Sequence, residues 1–186
     1  MADSNITKRA LASSLKELMK TKPFSKISVS DICEACDMNR KSFYYHFQDK
    51  YDLVNWIYYT ECIAALKEKG YHTGYDILDD LCAYFYNNRS FYRKTLTVEG
   101  QNSFSEYFRD IVSTIITADM EESFGKDEAL PFYADFYTDA LLCAIKRWLL
   151  KKDCLPPEEF VRLIKNCLVH TSDSIFEAFH PEPDPE

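Results

Sequence analysis

The sequence predicts an all-α protein, and three observations lead to this prediction. Apolar residues recur three or four positions apart along much of the 186-residue chain, which is the spacing of one helical face. The chain contains only 4 glycines, too few for a turn-rich β architecture. No stretch of useful length alternates between apolar and polar residues, as a half-buried strand does. We therefore expect a small N-terminal helical domain followed by a helical bundle.

The first helices are bounded by residues that start or break a helix. An amphipathic helix is predicted over residues 6–20, and it ends before Pro23 because proline cannot continue a helix. Ser28 and Asp31 have the spacing of a capping box, in which each side chain accepts a hydrogen bond from the other residue's backbone. A second, short helix is therefore predicted to start at this point.

A tight turn separates the second helix from a third. Asp37 stands in this turn, where glycine would be easiest, and aspartate tolerates the left-handed conformation better than most residues. Asn39 is a favourable N-cap for the third helix. Asp49 can cap the helix that follows, whose apolar pattern continues to Gly70.

The stretch from Gly70 to Gly74 is predicted to separate two domains, a head of residues 1–70 and a body of residues 71–180. The tail of residues 181–186 is rich in proline and acidic residues and is expected to be disordered. Within the body we predict helices over residues 76–89, 91–98, 103–123, 131–152 and 157–179.

Charge is divided unevenly along the chain. Residues 1–50 carry nine lysines and arginines and six acidic residues, so their net charge is 9 − 6 = +3. Residues 51–186 carry 13 basic and 24 acidic residues, a net charge of 13 − 24 = −11. A surface that binds nucleic acid must therefore lie on the head, and the acidic body would repel DNA and help to orient the head.

The 7 cysteines are an odd number, and the N-terminus shows no signal-peptide pattern, so we expect a cytoplasmic protein with reduced thiols. No apolar stretch is long enough to span a membrane. Cys33 and Cys36 have Cys-x-x-Cys spacing, which suits either a redox or metal role or two small residues on a buried helix face. Without a second cysteine pair at zinc spacing, the buried face is the preferred interpretation, and no metal or cofactor is predicted.

Residues 28–54 have the pattern of a helix-turn-helix followed by the start of a longer helix. The second of the two short helices contains side chains that can hydrogen-bond to phosphates and base edges. These side chains are Arg40, Lys41, Ser42, Tyr44, Tyr45 and His46. Double-stranded DNA is therefore the predicted partner.

Residues 6–57 resemble the DNA-binding domain of the tetracycline-repressor (TetR) family. The resemblance rests on Phe24, Ile27-Ser28-Val29-Ser30-Asp31-Ile32, Phe43-Tyr44-Tyr45-His46-Phe47, Lys50 and Leu53. The chain departs from the family in having Cys36-Asp37-Met38, where Ala-Gly-Val is usual, and Lys41, where glycine is common. In the body, Asn88–Tyr92, Ala140–Ile145 and Trp148-Leu149 are similar to a subgroup that includes regulators of dihydroxyacetone kinase genes.

A helix-turn-helix inserts the N-terminal part of its second helix into the major groove. Base-edge contacts are therefore expected from Arg40, Lys41 and Ser42, with Arg40 directed to guanine. By resemblance Tyr44 contacts a base or a thymine methyl group. Phosphate contacts are expected from Tyr45, His46 and Lys50, with further DNA-binding candidates at Thr7, Lys8, Ser28 and Asn39. The alternatives are a structural hydrogen bond for His46 and a solvated surface charge for Lys50.

Aromatic residues are frequent in the body, where they either line an effector cavity or simply pack a helical core. The cavity candidates are Tyr84, Phe85, Phe91, Tyr107, Phe108, Tyr133, Phe136 and Tyr137. The ligand would be a small-molecule effector. The resemblance to the dihydroxyacetone kinase regulators allows a protein co-regulator in its place.

In the TetR family the last two long helices pair with their copies in a homodimer. The corresponding candidates are Leu141, Ile145, Leu149, Phe160, Leu163, Ile164 and Leu168. The resemblance implies a dimeric regulator that binds a palindromic operator and represses transcription. The alternative is an activator of a dihydroxyacetone kinase-like operon that acts with a protein co-regulator. No nucleotide-binding, esterase or metalloprotease motif supports an enzyme, and a Cys167–His170 pair in the last helix is better explained by a dimer interface.

Overall fold

The fold is given by a computed structural model that describes residues 2–71, 74–98 and 103–179. These residues form helices and connecting turns without a β-strand, in agreement with the all-α prediction. Among the described helices none is both long and apolar enough to cross a membrane. The predicted tail of residues 181–186 lies outside the described residues.

Ten α-helices are distinguished in the described chain. They are α1 (Ala2–Thr21), α2 (Val29–Glu34), α3 (Arg40–His46), α4 (Lys50–Tyr58), α5 (Ala64–Lys69), α6 (Gly74–Asn87), α7 (Arg89–Thr95), α8 (Phe104–Phe124), α9 (Leu130–Leu150) and α10 (Pro157–Phe179). The five helices predicted in the body match α6 to α10 within three residues at each end. A 3₁₀ turn, Phe24–Lys26, follows α1 after Pro23.

Helix ends in the first part of the chain form where the capping residues predict them. Asp49 Oδ1 accepts hydrogen bonds from the backbone N–H groups of Tyr51 at 2.8 Å and Asp52 at 2.9 Å, which starts α4. A π-helical turn, Tyr59–Ile63, joins α4 to α5. The predicted end at Gly70 is confirmed by its left-handed φ of 65°.

The chain forms two compact units. The first contains Met1–Gly70 and Asn87–Ile111, and the second contains Tyr71–Tyr86 and Val112–Glu186. This division differs from the single body predicted for residues 71–180, because residues 87–111 join the unit of the head.

An aromatic cluster explains why residues 87–111 belong to the first unit. Tyr58 of α4 is fully buried, and its ring centroid lies 5.2 Å from that of Phe104, 5.6 Å from Phe108 and 6.1 Å from Tyr92. All three pairs are arranged edge to face, which is a favourable geometry for aromatic rings. Because these partners are 34 to 50 positions from Tyr58 in the sequence, local patterns do not reveal the cluster.

The second unit is held together by a helical hairpin of α9 and α10. The Trp148 ring stacks on the Phe160 ring with centroids 4.3 Å apart, and Trp148 Nε1 donates a hydrogen bond to the Leu155 carbonyl at 2.9 Å. Lys165 of α10 forms a 2.5 Å ion pair with Asp79 of α6. These contacts position α6 and α10 in the same unit.

Candidate DNA-binding surface

The turn between α2 and α3 is closed by hydrogen bonds. Asp37 has the left-handed φ of 54° that its position predicts, and the Met38 N–H donates to the Cys33 carbonyl at 2.9 Å. Asn39 Oδ1 accepts hydrogen bonds from the Ser42 backbone N–H at 2.8 Å and from the Ser42 hydroxyl at 3.2 Å. These bonds fix the residue at which α3 begins. Asn39 and Ser42, both predicted to bind DNA, thus cap the helix.

The two faces of α3 differ sharply in burial. Phe43 and Phe47 are 0% and 3% exposed, and they pack into the core of the first unit. The opposite face carries four exposed side chains. They are Arg40, Lys41, Tyr44 and Tyr45. The residues predicted to pack and the residues predicted to contact DNA therefore lie on different sides of one short helix.

Arg40 and Tyr44 lie one helical turn apart on the exposed face. The Arg40 Nη2 donates a hydrogen bond to the Tyr44 hydroxyl oxygen at 3.3 Å, and the guanidinium carbon lies 5.7 Å from the centre of the Tyr44 ring. The side chain of Arg40 therefore follows the helix surface toward Tyr44.

His46 and Lys8 lie at the edge of this face, and both are half-buried. The His46 ring packs edge to face against Tyr45 with centroids 4.9 Å apart. The Lys8 Nζ of α1 lies 5.7 Å from the Phe47 ring centre and 5.9 Å from the Trp56 ring centre. Its position over two rings keeps an ammonium group near α3. Thr7, one position earlier on α1, is also half-buried.

Ser28 participates in the predicted capping box. Its hydroxyl accepts a hydrogen bond from the Asp31 N–H at 3.1 Å and donates one to Asp31 Oδ2 at 2.8 Å. The Ser28 backbone N–H also donates to Asp31 Oδ2, at 2.8 Å. These bonds from Ser28, together with the Lys22 ammonium, hold the pKa of the Asp31 carboxyl below its ordinary value. Ser28 therefore starts α2 with a side chain that remains exposed.

Lys50 is the first residue of α4, and its ammonium contacts backbone carbonyls of the preceding segment. Its Nζ donates hydrogen bonds to the carbonyl oxygens of Ile27 at 2.7 Å, Phe24 at 2.9 Å and Ser25 at 3.3 Å. It also lies 4.7 Å from the centre of the Phe24 ring. An ammonium group has three donors, and three carbonyls surround this one. Burial lowers the pKa of Lys50. We therefore propose that Lys50 supports the turn before α2 and does not contact phosphate.

The predicted buried position of Cys33 is confirmed, since it is 2% exposed in α2. Cys36 is half-buried and its thiol donates to the Ile32 carbonyl at 3.3 Å. No group of three metal-binding side chains is found among the described residues.

A cavity of about 270 Å³ lies in the second unit. Its wall is mainly aliphatic and includes Ile77, Leu81, Val112, Ile115, Met120 and Leu168. Asp119, Ser123 and Tyr137 add polar atoms. Asp119 Oδ2 accepts a hydrogen bond from the Gly74 N–H at 2.7 Å, which links α8 to the start of α6. A methyl group on Gly74 would meet that oxygen at 2.5 Å, so glycine permits this close approach.

Of the eight aromatic cavity candidates, Tyr137 lines this cavity. Phe91, Tyr107 and Phe108 belong to the first unit, where Tyr107 and Phe108 pack around Tyr58. Of the other four, Phe85 is fully buried, Tyr84 and Tyr133 are half-buried, and Phe136 is 57% exposed. Of the two interpretations of these aromatics, core packing fits most of them, because they pack against other rings. Their role in binding an effector stays a prediction.

The predicted dimer residues divide into two groups. Ile145 and Leu149 are fully buried in the protomer, and Leu141 and Phe160 are each 8% exposed. Leu163 is 42% exposed, while Ile164 and Leu168 are half-buried. The first group packs the protomer's own core.

The sequence prediction missed a second apolar row on α9. Phe132 is 70% exposed and Phe136 is 57% exposed, and Ala140 and Cys143 continue the exposed row. Their spacing of four, four and three positions follows one helical face. The signal was present in the sequence, since α9 has apolar residues on two faces and only one of them can face its own core.

Two family comparisons match most of the chain. The N-terminal model described as "Bacterial regulatory proteins, tetR family" matches residues 12–57. The model described as "Transcriptional regulator C-terminal region" matches residues 73–170, more than half of the chain. The chain belongs to the tetR family. This tetR-family protein is therefore a transcription regulator and not an enzyme.

Individual relatives of this tetR-family regulator include a curated protein from Lactococcus lactis subsp. lactis (strain IL1403), the HTH-type dhaKLM operon transcriptional activator DhaS. It is 26% identical over an alignment of 153 residues, and the match covers 79% of this chain and 81% of the relative.

Two solved structures have a similar fold. The structure of the dihydroxyacetone kinase operon activator DhaS matches with a TM-score of 0.66 and 23% identity, over 89% of this chain and 96% of that one. A TetR transcriptional regulator from Streptococcus agalactiae 2603V matches with a TM-score of 0.65 and 19% identity, over 87% and 93% of the two chains.

Proposed function

We propose that this regulator binds a palindromic operator as a homodimer, with α3 of each protomer in a major groove. The observation that supports the proposal is the exposed face of α3, which carries Arg40, Lys41, Tyr44 and Tyr45 above a buried Phe43. Two such helices would lie about 34–36 Å apart, one turn of DNA. The net charge of +3 in residues 1–50 favours contact there, and the −11 of the remaining residues opposes contact elsewhere.

The proposed dimer interface consists of the exposed faces of α9 and α10. Phe132, Phe136 and Cys143 contribute from α9, and Leu163 contributes from α10. A row of large apolar side chains exposed along a helix is unfavourable in water, so a second copy that covers it would stabilise the protein.

We propose that the regulator activates transcription of an operon related to dihydroxyacetone kinase. Support comes from the Lactococcus lactis relative, which is named an activator of the dhaKLM operon. The name of this relative favours activation over the repression that the wider family resemblance implies. Repression by a protein that blocks the polymerase remains the competing proposal.

The cavity of the second unit is proposed as the site of an effector. Its aliphatic wall suits an apolar molecule, which Tyr137 and Asp119 can orient through hydrogen bonds. The earlier alternative, a protein co-regulator, would use the outer surface instead. The variant M120W fills the cavity. If an apolar probe binds the wild type saturably and does not bind M120W, the small-molecule effector is supported. Unchanged binding of the probe to M120W would favour the protein co-regulator.

Selection of bound duplexes from a random DNA library tests operator binding. We expect a two-fold symmetric consensus, with affinity that falls steeply as the salt concentration rises because phosphate contacts release counterions. Enrichment of a single asymmetric site would contradict the dimeric operator. Transcription in vitro from a promoter carrying the consensus then distinguishes activation from repression, since an activator raises the transcript level and a repressor lowers it.

A further inference from the structure

Arginine has a long and flexible side chain, and that of Arg40 contacts both the hydroxyl and the ring of Tyr44. Its Nη2 donates to the Tyr44 hydroxyl oxygen at 3.3 Å, and its guanidinium lies 5.7 Å from the Tyr44 ring centre. The two residues are four positions apart on α3, the spacing that brings side chains together on a helix surface. These contacts favour one orientation of the guanidinium in the free protein.

Tyr44 is in turn held by the core. Its ring packs edge to face on the ring of Phe43, with centroids 5.6 Å apart and planes at 81°. Phe43 is fully buried. A continuous path of contacts thus runs from the core through Phe43 and Tyr44 to the guanidinium of Arg40.

The hydrogen bond to Tyr44 leaves donors for DNA. A guanidinium has five N–H donors, and this bond uses one of them. Guanine presents two acceptors, O6 and N7, to a bidentate arginine in the major groove. Arg40 can therefore keep its bond to Tyr44 while it contacts a guanine.

We propose that Tyr44 is a positioning residue that orients Arg40 toward guanine, so that the two residues determine one base pair of the half-site together. The proposal rests on the operator-binding function proposed above. Without the tyrosine hydroxyl, the guanidinium would have to be ordered during binding, and that entropy cost would reduce its preference for guanine.

The test compares R40A, Y44F and the double variant R40A/Y44F on the selected operator and on operators with each half-site base pair changed in turn. R40A should reduce discrimination at one guanine by about 5- to 150-fold, the range for a bidentate contact. Y44F should reduce discrimination at the same base pair by about 2- to 10-fold, because it removes one hydrogen bond and keeps the ring. The double variant should discriminate at this base pair as well as R40A does, because Tyr44 acts there only through Arg40.

Y45F is the matched control. Tyr45 is 83% exposed on the same helix, and its ring packs on His46. Loss of its hydroxyl should weaken binding to all sequences alike and leave discrimination at the guanine unchanged. In the free protein, the ¹⁵N order parameter of Arg40 Nε should fall in Y44F and stay constant in Y45F.

Two results would overturn the inference. Full discrimination in Y44F, or a change at a base pair other than the one that R40A affects, would mean that Tyr44 does not act through Arg40. If the wild-type protein enriched no duplex while remaining folded, the operator-binding function would fail and this inference with it. The wild-type selection therefore distinguishes a failure of the proposed operator binding from a failure of the proposed orientation of Arg40 by Tyr44.

Discussion

At the scale of single residues, Lys50 shows how position in the fold changes the role of a side chain. By resemblance it is a phosphate contact, but its ammonium lies among the carbonyls of residues 24, 25 and 27. These partners are 23 to 26 positions earlier in the chain. The bonds connect the start of α4 to the turn before α2, and we propose that Lys50 stabilises the helix-turn-helix through them.

Replacement of Lys50 by methionine should lower stability and leave the salt dependence of DNA binding intact. Each phosphate contact contributes about 0.9 to the slope of log affinity against log salt. K50M should therefore retain the wild-type slope. K8M, which removes the ammonium of a further predicted phosphate contact on α1, should reduce the slope by about 1.8 in a dimer. Urea unfolding of K50M should show a loss of about 1–3 kcal/mol. A slope reduced in K50M as much as in K8M would support phosphate contact by Lys50.

The capping box makes a pH-dependent contribution through Asp31. Hydrogen bonds from Ser28 lower the pKa of Asp31 below its ordinary value of 3.8. The contribution to stability is therefore complete above about pH 4 and disappears as the pH falls through the folded-state pKa. Urea midpoints measured between about pH 2 and pH 6 should show a shallower acid slope in D31N than in the wild type. Parallel acid slopes in the two proteins would contradict this role.

At the scale of helices and turns, the turn between α2 and α3 carries a conformational cost. Asp37 is the one non-glycine residue with a positive φ in the described part of the chain. Aspartate tolerates this conformation better than most residues, but glycine adopts it without a steric penalty. The turn therefore uses a residue that is acceptable rather than optimal.

Substitution of Asp37 by glycine should stabilise the protein by a few tenths to about 1 kcal/mol, because the left-handed strain is removed. D37V should destabilise it, since a β-branched side chain is strongly disfavoured at positive φ. Urea unfolding of the two variants beside the wild type measures both effects. A gain of stability in D37V would exclude backbone strain as the explanation.

At the scale of the whole molecule, we propose that the exposed apolar row of α9, together with Leu163 of α10, determines the oligomeric state. F136E places a charge in the middle of the α9 row, and burying an unpaired charge in an interface is strongly unfavourable. We expect the dimer dissociation constant to rise at least about tenfold, as measured by sedimentation, and operator binding to fall in parallel.

The control for this variant is K126E, which changes an exposed charge in the loop between α8 and α9. It should leave the dissociation constant within about twofold of the wild type.

Labelling of the cysteine thiols gives a second measurement of the interface. Exposed Cys143 should become protected as the protein concentration rises through the dissociation constant, while Cys82, whose pKa burial raises to about 12, should remain unreactive throughout. Constant reactivity of Cys143 would contradict an interface on α9.

The order of the helices and most of their ends could be predicted from the sequence, because both depend on residues close in the chain. Ser28 with Asp31, Asn39 with Ser42 and Asp49 with Asp52 form their capping bonds within three positions. Helical periodicity, which is also local, predicts that Phe43 is buried while its neighbour Tyr44 is exposed on α3. The π turn at Tyr59–Ile63 was not predicted, since no local sequence signal marks it.

The sequence by itself determined that this is an all-α protein, because helical periodicity and capping act over a few residues. Its resemblance to the TetR family indicated a regulator and predicted a DNA-binding face on α3. Only the tertiary structure decided the carbonyl contacts of Lys50, the inclusion of residues 87–111 in the first unit, and the aliphatic wall of the cavity. Each of these depends on packing between segments far apart in the chain. Because one apolar face could pack against any of several such segments, the sequence pattern does not specify which one it contacts. The apolar row of α9 was present as a pattern in the sequence, but only the structure showed that Phe132 and Phe136 are exposed.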